Sequence, residues 1–471
     1  RKFPKSRHAS QRSSARRRLT PQRKGMSANE YLPIEDEEAS EISLSRLQTP
    51  KPPEDKHSLA WFLFVILGTG MLFPWDCFLS TPFAYWTLLF GKFPFLFVMS
   101  LTSSTPNTLF LLMSTKFGPR FSFGSRTLIA FMVDFAVLII VPIAGSVLEK
   151  NVALGVILVA VFLQGAATAT LFGSVLGLAA LFPPRYIGAI MSGNGVAGII
   201  TITLTIIIKL SVPNTDAGLE LSAMIFFGIS ALVILICIAS YILLTKLDIT
   251  KFYLQEYQRH NKYAQQRKSY QMRKGLVPSI NSSDTEEGSG LLAPPEQQPV
   301  SMFGVFKKVW KQAFNVWIVF FVSLALFPGI SSKITTQDHL VSDDWFFIFM
   351  MALFMIGDYI GRTAPKWIRI PSPKALWVPS VARLVFFPLF ILSAKGMVFH
   401  YDAFSYIFMF VFALSNGYFG TLAMMYGPDF ADNHEKETAG AMMSFFLQAG
   451  IFMASAFALL LLYVIFGQAP F

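Results

Sequence analysis

Charge is scarce in this chain. Asp, Glu, Lys and Arg make up 14% of the 471 residues, against about 25% in soluble domains, and that shortage argues against an ordinary soluble enzyme. Cysteine occurs twice, as Cys77 and Cys237, each inside an apolar block, so there is no material for a disulfide framework or a cysteine-based metal centre. No long apolar block holds a histidine, no His/Cys/Asp/Glu cluster has metal-ligand spacing, and no phosphate-binding loop or nucleophile elbow occurs. ATP-driven pumping, metal chemistry and enzymatic cleavage lack the residues they require, and no cofactor is expected. Acid is missing from residues 1–24, which carry ten Lys and Arg and much of the net charge of +11. Basic charge next to membrane spans reads as cytoplasmic flanking charge, and nucleic-acid binding is rejected.

Apolar residues are abundant instead. They reach 53%, with 48 Phe, and fall into blocks of about 20, the length that spans a bilayer. Eleven such blocks lie near 59–81, 93–114, 127–148, 152–181, 187–212, 220–245, 311–332, 344–365, 376–394, 404–426 and 437–466. The expected protein is all-α and integral to the membrane, with eleven transmembrane helices. Its divisions are a disordered cytoplasmic tail over 1–58, a six-helix bundle over 59–245, a cytoplasmic linker over 246–310 and a five-helix bundle over 311–471. Six spans, a long loop and five spans suggest a carrier built from two halves.

Orientation follows from the basic connections. The tail, Lys116 to Arg126, the 246–310 loop, and Lys366, Arg369 and Lys374 alternate consistently, which puts the N-terminus in the cytoplasm and the C-terminus in the lumen or outside the cell. The tail also resembles a transit peptide in composition, and the first Met is Met26. The linker opens with eight Lys and Arg between Lys246 and Lys274, as in a helix leaving the membrane, and turns Ser/Pro/Glu-rich beyond Pro278. There Asn281-Ser282-Ser283 matches a glycosylation sequon on the wrong side for modification. Glu287, Leu291 and Leu292 have the form of an acidic dileucine sorting signal, tilting localisation towards a vacuolar or lysosomal membrane over the plasma membrane.

Charge inside a bilayer is costly, so Asp76, Asp134, Lys209, Asp358, Arg362 and Arg383 need explanations. Asp134 and Lys209 have the alternative of snorkelling or structural pairing. The four-residue spacing of Asp358 and Arg362 predicts an intrahelical pair with lone pairs and N–H donors left for a polar, uncharged solute; the alternative is a purely stabilising ion pair. Pro74-Trp75-Asp76 combines a helix-interrupting proline, a flat aromatic face and a carboxylate. Trp75 stacks on a ring or sits in the interfacial belt. Gly193-Asn194-Gly195-Val196-Ala197-Gly198 imitates a dinucleotide fingerprint without the strand that motif needs. Close helix packing, with hydrogen bonds from Ser192 and Asn194, fits better, and lining the pathway is the second role. Phe327-Pro328-Gly329 and Ser415-Asn416-Gly417-Tyr418 both read as broken or flexible helix.

Taken in order, these segments resemble the equilibrative nucleoside transporters. The likeness runs from about residue 59 to 466 and rests on Leu72-Phe73-Pro74-Trp75-Asp76, Ile190 to Gly198, Gly357-Asp358-Tyr359-Ile360-Gly361-Arg362, Ala382-Arg383-Leu384-Val385-Phe386, Ser415 to Tyr418 and Glu437 to Met443. The resemblance implies a major-facilitator-like fold of six plus five helices that moves nucleosides such as adenosine and uridine, sometimes nucleobases, by facilitated diffusion. It implies that Trp75 meets the base, that Asp358 and Arg362 hold ribose hydroxyls or the base edge, that Leu79 with Pro328 forms a thin outer gate, and that Phe327 lines the site beside that gate. Arg383 would join the cytoplasmic gating network, with Asn416 on the pathway.

Two positions depart from the family pattern. Asp76 replaces the usual Asn, bringing a titratable group to the site and protons into consideration as a partner. Phe172 stands where well-known members offer a base-reading Gln, and Gln164 lies two helical turns away. The expected mechanism is passive or proton-assisted alternating access within the bilayer. The competing readings are a carrier for another organic solute and a non-transporting receptor or scaffold.

Overall fold

The computed structural model describes residues 52–81, 83–91, 95–117, 122–213, 215–259, 301–339, 341–396 and 401–466. Residues 1–51 of the tail, the sequon and the Glu287, Leu291 and Leu292 signal lie outside them; residues 52–58, expected to be disordered, instead hold a 3-10 turn over Lys56–Ser58, and the Asp55 carboxylate accepts from the Ala60 and Trp61 N–H groups. Apolar runs satisfy every backbone group internally by coiling into helices, which are α1 (Leu59–Ser80), α2 (Phe83–Phe90), α3 (Phe95–Phe117), α4 (Phe123–Val147), α5 (Lys150–Ala180), α6 (Arg185–Ser211) and α7 (Asp216–Lys246). After a bend at Leu247, α8 runs over 248–259, the helix expected to leave the membrane. Then come α9 (Met302–Leu326), α10 (Asp343–Thr363), α11 (Trp377–Ala382), α12 (Phe386–Ala394), α13 (Asp402–Tyr426) and α14 (Lys436–Phe466). Among the described residues ten helical stretches are long and apolar enough to cross a membrane. The eleventh expected span is α3, 23 residues long, whose Ser, Thr, Pro and Asn cluster from Thr102 to Thr108 lowers its hydropathy.

Three local expectations change. Pro74 does not interrupt α1, which is continuous through it. Ser415 to Tyr418 do not break α13 either, because the polar side chains find partners across the bundle and Gly417 serves helix contact. The break falls in the ninth block, where a 3-10 turn over Arg383–Val385 separates α11 from α12. Phe327-Pro328-Gly329 does end its helix, with α9 stopping at Leu326.

In the first half, α1 packs on α6 and α7, and α5 packs between α3 and α4; in the second, α10 packs on α13 and α9 on α13 and α14. The halves meet along α6 against α10 and along α14 against α3 and α5. α10 and α13 approach each other closely: a methyl on Gly361 would lie 2.2 Å from the Leu414 carbonyl oxygen, and one on Gly417 would lie 2.1 Å from that of Asp358. Small residues let membrane helices approach this closely. Gly417→Ala is expected to destabilise the protein by about 1–3 kcal/mol through overpacking, read as a lower midpoint of thermal unfolding in detergent.

Candidate functional site

The α10–α13 contact fixes a buried polar network. Arg362 Nε donates to Asp358 Oδ2 at 2.5 Å, as the four-residue spacing predicts. The other carboxylate oxygen accepts from Asn416 Nδ2 at 2.7 Å. Asn416 Oδ1 accepts from Ser323 Oγ at 2.6 Å, and Ser323 Oγ accepts from Arg383 Nη2 at 2.9 Å. Four elements of the second half thus hold one chain of bonds, α9 through Ser323, α10 through Asp358 and Arg362, the 3-10 turn through Arg383 and α13 through Asn416.

Arg383, only 2% exposed, anchors it. Its guanidinium also donates to Ser415 Oγ at 3.0 Å, the Val319 carbonyl at 2.8 Å and the Phe412 carbonyl at 3.0 Å, and lies over the Phe412 ring. A planar group with five N–H donors suits this set. Arg383 has no carboxylate among these partners, so hydroxyls and carbonyls solvate its charge, and Asn416 links it to the Asp358 carboxylate.

Asp76 faces the network from the first half. It is buried, its Oδ2 has no hydrogen-bond partner among the described residues, and Arg362 and Asp358 are the charges that act on it. Trp75 beside it is half-buried against the core of the first half. Phe327 is buried and stacks on Phe354 with ring centroids 4.0 Å apart. Pro328 occupies the turn after α9, and Leu79 lies in the last turn of α1.

The small-residue stretch of α6 joins the two sides. Thr69 Oγ1 donates to the Gly193 carbonyl at 3.0 Å, bringing α6 onto α1. On another face a methyl at Gly195 would lie 2.9 Å from Tyr359 Cα of α10, and Ser192 Oγ donates to the Arg362 carbonyl at 3.4 Å. Asn194 is buried with its Oδ1 unpartnered among the described residues. Packing and proximity to the Asp358–Arg362 pair therefore coincide in one segment.

At the end from which the 260–300 connection leaves, contacts close the halves on each other. Arg126 Nη2 of α4 donates to Glu437 Oε1 of α14 at 2.7 Å, and the Tyr257 hydroxyl of α8 donates to Oε2. Lys366 lies 4.1 Å from the centre of the Trp61 ring. Within the second half, Lys308 donates to Asp432 and Glu435 at 2.7 Å each, and this hydrogen-bonded ammonium holds the Asp432 carboxyl below the usual carboxylate range. A small polar cavity lined by Trp61, Arg185, Ser192, Arg362 and Lys366 lies between these closures and the Asp358–Arg362 pair. A larger apolar cavity, about 310 Å³, is lined by Leu112, Phe306, Met442 and Phe446 among others and offers a polar solute no partner.

Asp134 does not snorkel: it is fully buried in α4 with neither oxygen partnered among the described residues. Lys209 lies 5.5 Å from the Trp345 ring. Gln164 accepts from Ser103 and donates to Thr168, tying α5 to α3, while Phe172 is buried at the α5–α14 contact. Ser323 and the Arg126–Glu437 pair were not foreseen. Arg126 reads locally as a topogenic charge, and its partner stands 311 residues away.

Residues 158–463 match the family model described as "Nucleoside transporter". The chain is 28% identical to the human equilibrative nucleoside transporter 1, over 88% of this chain and 99% of that one. It is 26% identical to the rat equilibrative nucleoside transporter 3 over 87% and 90%, and to the Arabidopsis thaliana equilibrative nucleotide transporter 1 over 87% of each. Among solved structures it is similar to the major facilitator superfamily proton:xylose symporter XylE bound to 6-bromo-6-deoxy-D-glucose. The TM-score is 0.59, at 13% identity over 88% of this chain and 92% of that one. That likeness carries the fold.

Proposed function

This chain belongs to the nucleoside transporter family, and on that premise we propose that it carries nucleosides by alternating access, with the solute held between Trp75 and the Asp358–Arg362 pair. The observation that carries the reading is the buried pair itself, preformed at 2.5 Å and oriented by Asn416. Ribose offers hydroxyls that donate to a carboxylate and accept from a guanidinium, and both charges are already compensated, so a neutral polar solute binds without leaving one unpaired. Trp75 supplies the flat face for the base. Leu79 and Pro328 form the outer gate, and Phe327 lines the site beside it. The Arg126–Glu437 and Lys366–Trp61 contacts close the linker end, which we assign to the cytoplasm because the basic connections gather there. Rocking of α6 against α10 about their small-residue contact then exposes the site to each side in turn.

The test is uptake of radiolabelled adenosine and uridine into proteoliposomes, with and without an inward proton gradient. Saturable uptake of either is expected, and its absence from folded protein overturns the reading in favour of another solute. Trp75→Ala is expected to raise the apparent KM about 5- to 100-fold, the range of one base–aromatic stack; an unchanged KM would place Trp75 in the interfacial belt.

Asp76 gives the proton-assisted form of this mechanism its candidate residue. A carboxyl with an unpartnered oxygen, set against Arg362 and Asp358, binds or releases a proton as that pair engages a solute. Asp76→Asn is expected to leave basal uptake in place and to abolish stimulation by the gradient. A gradient response that survives in Asp76→Asn removes Asp76 from proton coupling.

A further inference from the structure

The connection between α10 and α11 is built unlike an ordinary loop. Its backbone is pinned from inside the bundle: Tyr418 Oη accepts from the Ile370 N–H at 3.0 Å and lies 2.7 Å from that residue's carbonyl, and the Tyr426 hydroxyl reaches the Arg369 and Pro371 carbonyls. Gln312 of α9 donates to the Pro373 carbonyl at 2.7 Å. A backbone satisfied from one side turns its side chains to the other. Accordingly Trp367 and Ile370 are each 71% exposed and Ile368 is 56% exposed, with Arg369 and Lys374 exposed among them.

This composition fits one environment. Large apolar side chains interleaved with cations, and no acid from Ala364 to Trp377, suit the boundary between acyl chains and anionic headgroups, where rings and aliphatic groups insert and each Lys or Arg adds about 1 kcal/mol of attraction. The segment joins two membrane-crossing helices, so covalent geometry holds it at that depth. Among the described residues the acid within electrostatic reach of Arg369 is Asp429, which also acts on Lys436, and Arg369 donates through its Nε to the Pro365 carbonyl. Lys366 is engaged by Trp61. Arg369 and Lys374 are the cations presented outward.

We propose that residues 367–374 form a binding platform for an anionic phospholipid of the adjacent leaflet, its headgroup held by Arg369 and Lys374 and its glycerol and upper acyl region by Trp367, Ile368 and Ile370. The platform is anchored to α9 and α13, the helices that supply Ser323 and Asn416 to the buried network, so a bound lipid rests on the moving half of the carrier. This reading stands on the surface alone and does not depend on the identity of the solute.

Brominated phosphatidylserine, with brominated phosphatidylcholine alongside, is titrated into the full-length protein in detergent. The signal is the quenching assigned to Trp367 by comparison with Trp367→Phe. Phosphatidylserine is expected to quench at a concentration at least several-fold lower than phosphatidylcholine. R369Q/K374Q is expected to weaken it on the order of twentyfold. The control K307Q/K311Q removes the same charge from exposed positions of α9 near the same end and is expected to change it less than twofold. Equal quenching by the two lipids in the wild-type protein overturns the proposal and leaves the patch to a protein partner. Equal weakening in the two double variants overturns it as well, reducing the effect to overall positive charge. Should R369Q/K374Q fail to fold, the wild-type comparison decides alone.

Discussion

Asp358→Asn is expected to cut nucleoside uptake about a hundredfold, because an amide leaves Arg362 buried and uncompensated and removing one member of a buried pair costs about 3–5 kcal/mol. The carboxylate accepts from Arg362 on one oxygen and from Asn416 on the other. Asparagine keeps the shape and presents an NH2 group to one of two donors, so one contact turns repulsive whichever way the amide lies. Arg362→Lys tests the other partner: it keeps the charge, loses the planar fork, and is expected to transport nearly as poorly. A structural ion pair and a solute-binding pair both predict that single variants fail, so the informative variant is D358N/R362Q. It removes both charges, and its unfolding midpoint in detergent is expected to recover above that of D358N, giving a coupling energy between the sites. Uptake is expected to stay at the D358N level, since neither the acceptor nor the donor for ribose returns. Uptake restored together with stability would assign the pair to structure alone.

What the sequence made legible follows interaction range. The Asp358–Arg362 bond was readable because four residues on a helix are one turn apart, and the helices because a bilayer permits few alternatives. The end of α9 was readable from Phe327-Pro328-Gly329. Proline alone misled at Pro74, where α1 continues without interruption. Ser415 to Tyr418 misled for a related reason: polar residues beside a glycine look like a turn when their partners are unknown. Those partners are Arg383, Asp358 and Ser323, which lie 32 to 93 residues away in the chain. Arg383 reads in the sequence as a costly charge, but the hydroxyls and carbonyls that surround it lie on α9 and α13, 29 to 64 residues away. The cross-half pair of Arg126 and Glu437 could be anticipated only as two separate charges.

Arg383→Ala is expected to prevent accumulation of folded protein, and Arg383→Lys to fold with a reduced maximal rate. Alanine removes the guanidinium donors that serve the Ser323 and Ser415 hydroxyls and the Val319 and Phe412 carbonyls. A hydrogen bond to a charged group contributes about 1.5–3 kcal/mol, so losing several exceeds what a marginally stable bundle tolerates. Lysine carries three donors on one nitrogen and meets some of these groups but not all. The consequence for transport runs through Asn416. Ser323 holds Asn416 Oδ1 while Asn416 Nδ2 holds Asp358, so a loosened Ser323 releases the side chain that orients the carboxylate. Arg383 is thus a positioning residue. Arg383→Lys is expected to lower the maximal uptake rate about tenfold, equivalent to about 1.4 kcal/mol, with a smaller change in KM. The second-site variant Asn416→Asp should not rescue it, because it sets a second carboxylate against Asp358. Wild-type uptake and an unchanged unfolding midpoint in Arg383→Lys would show that Asp358 is oriented without help from the rest of the network.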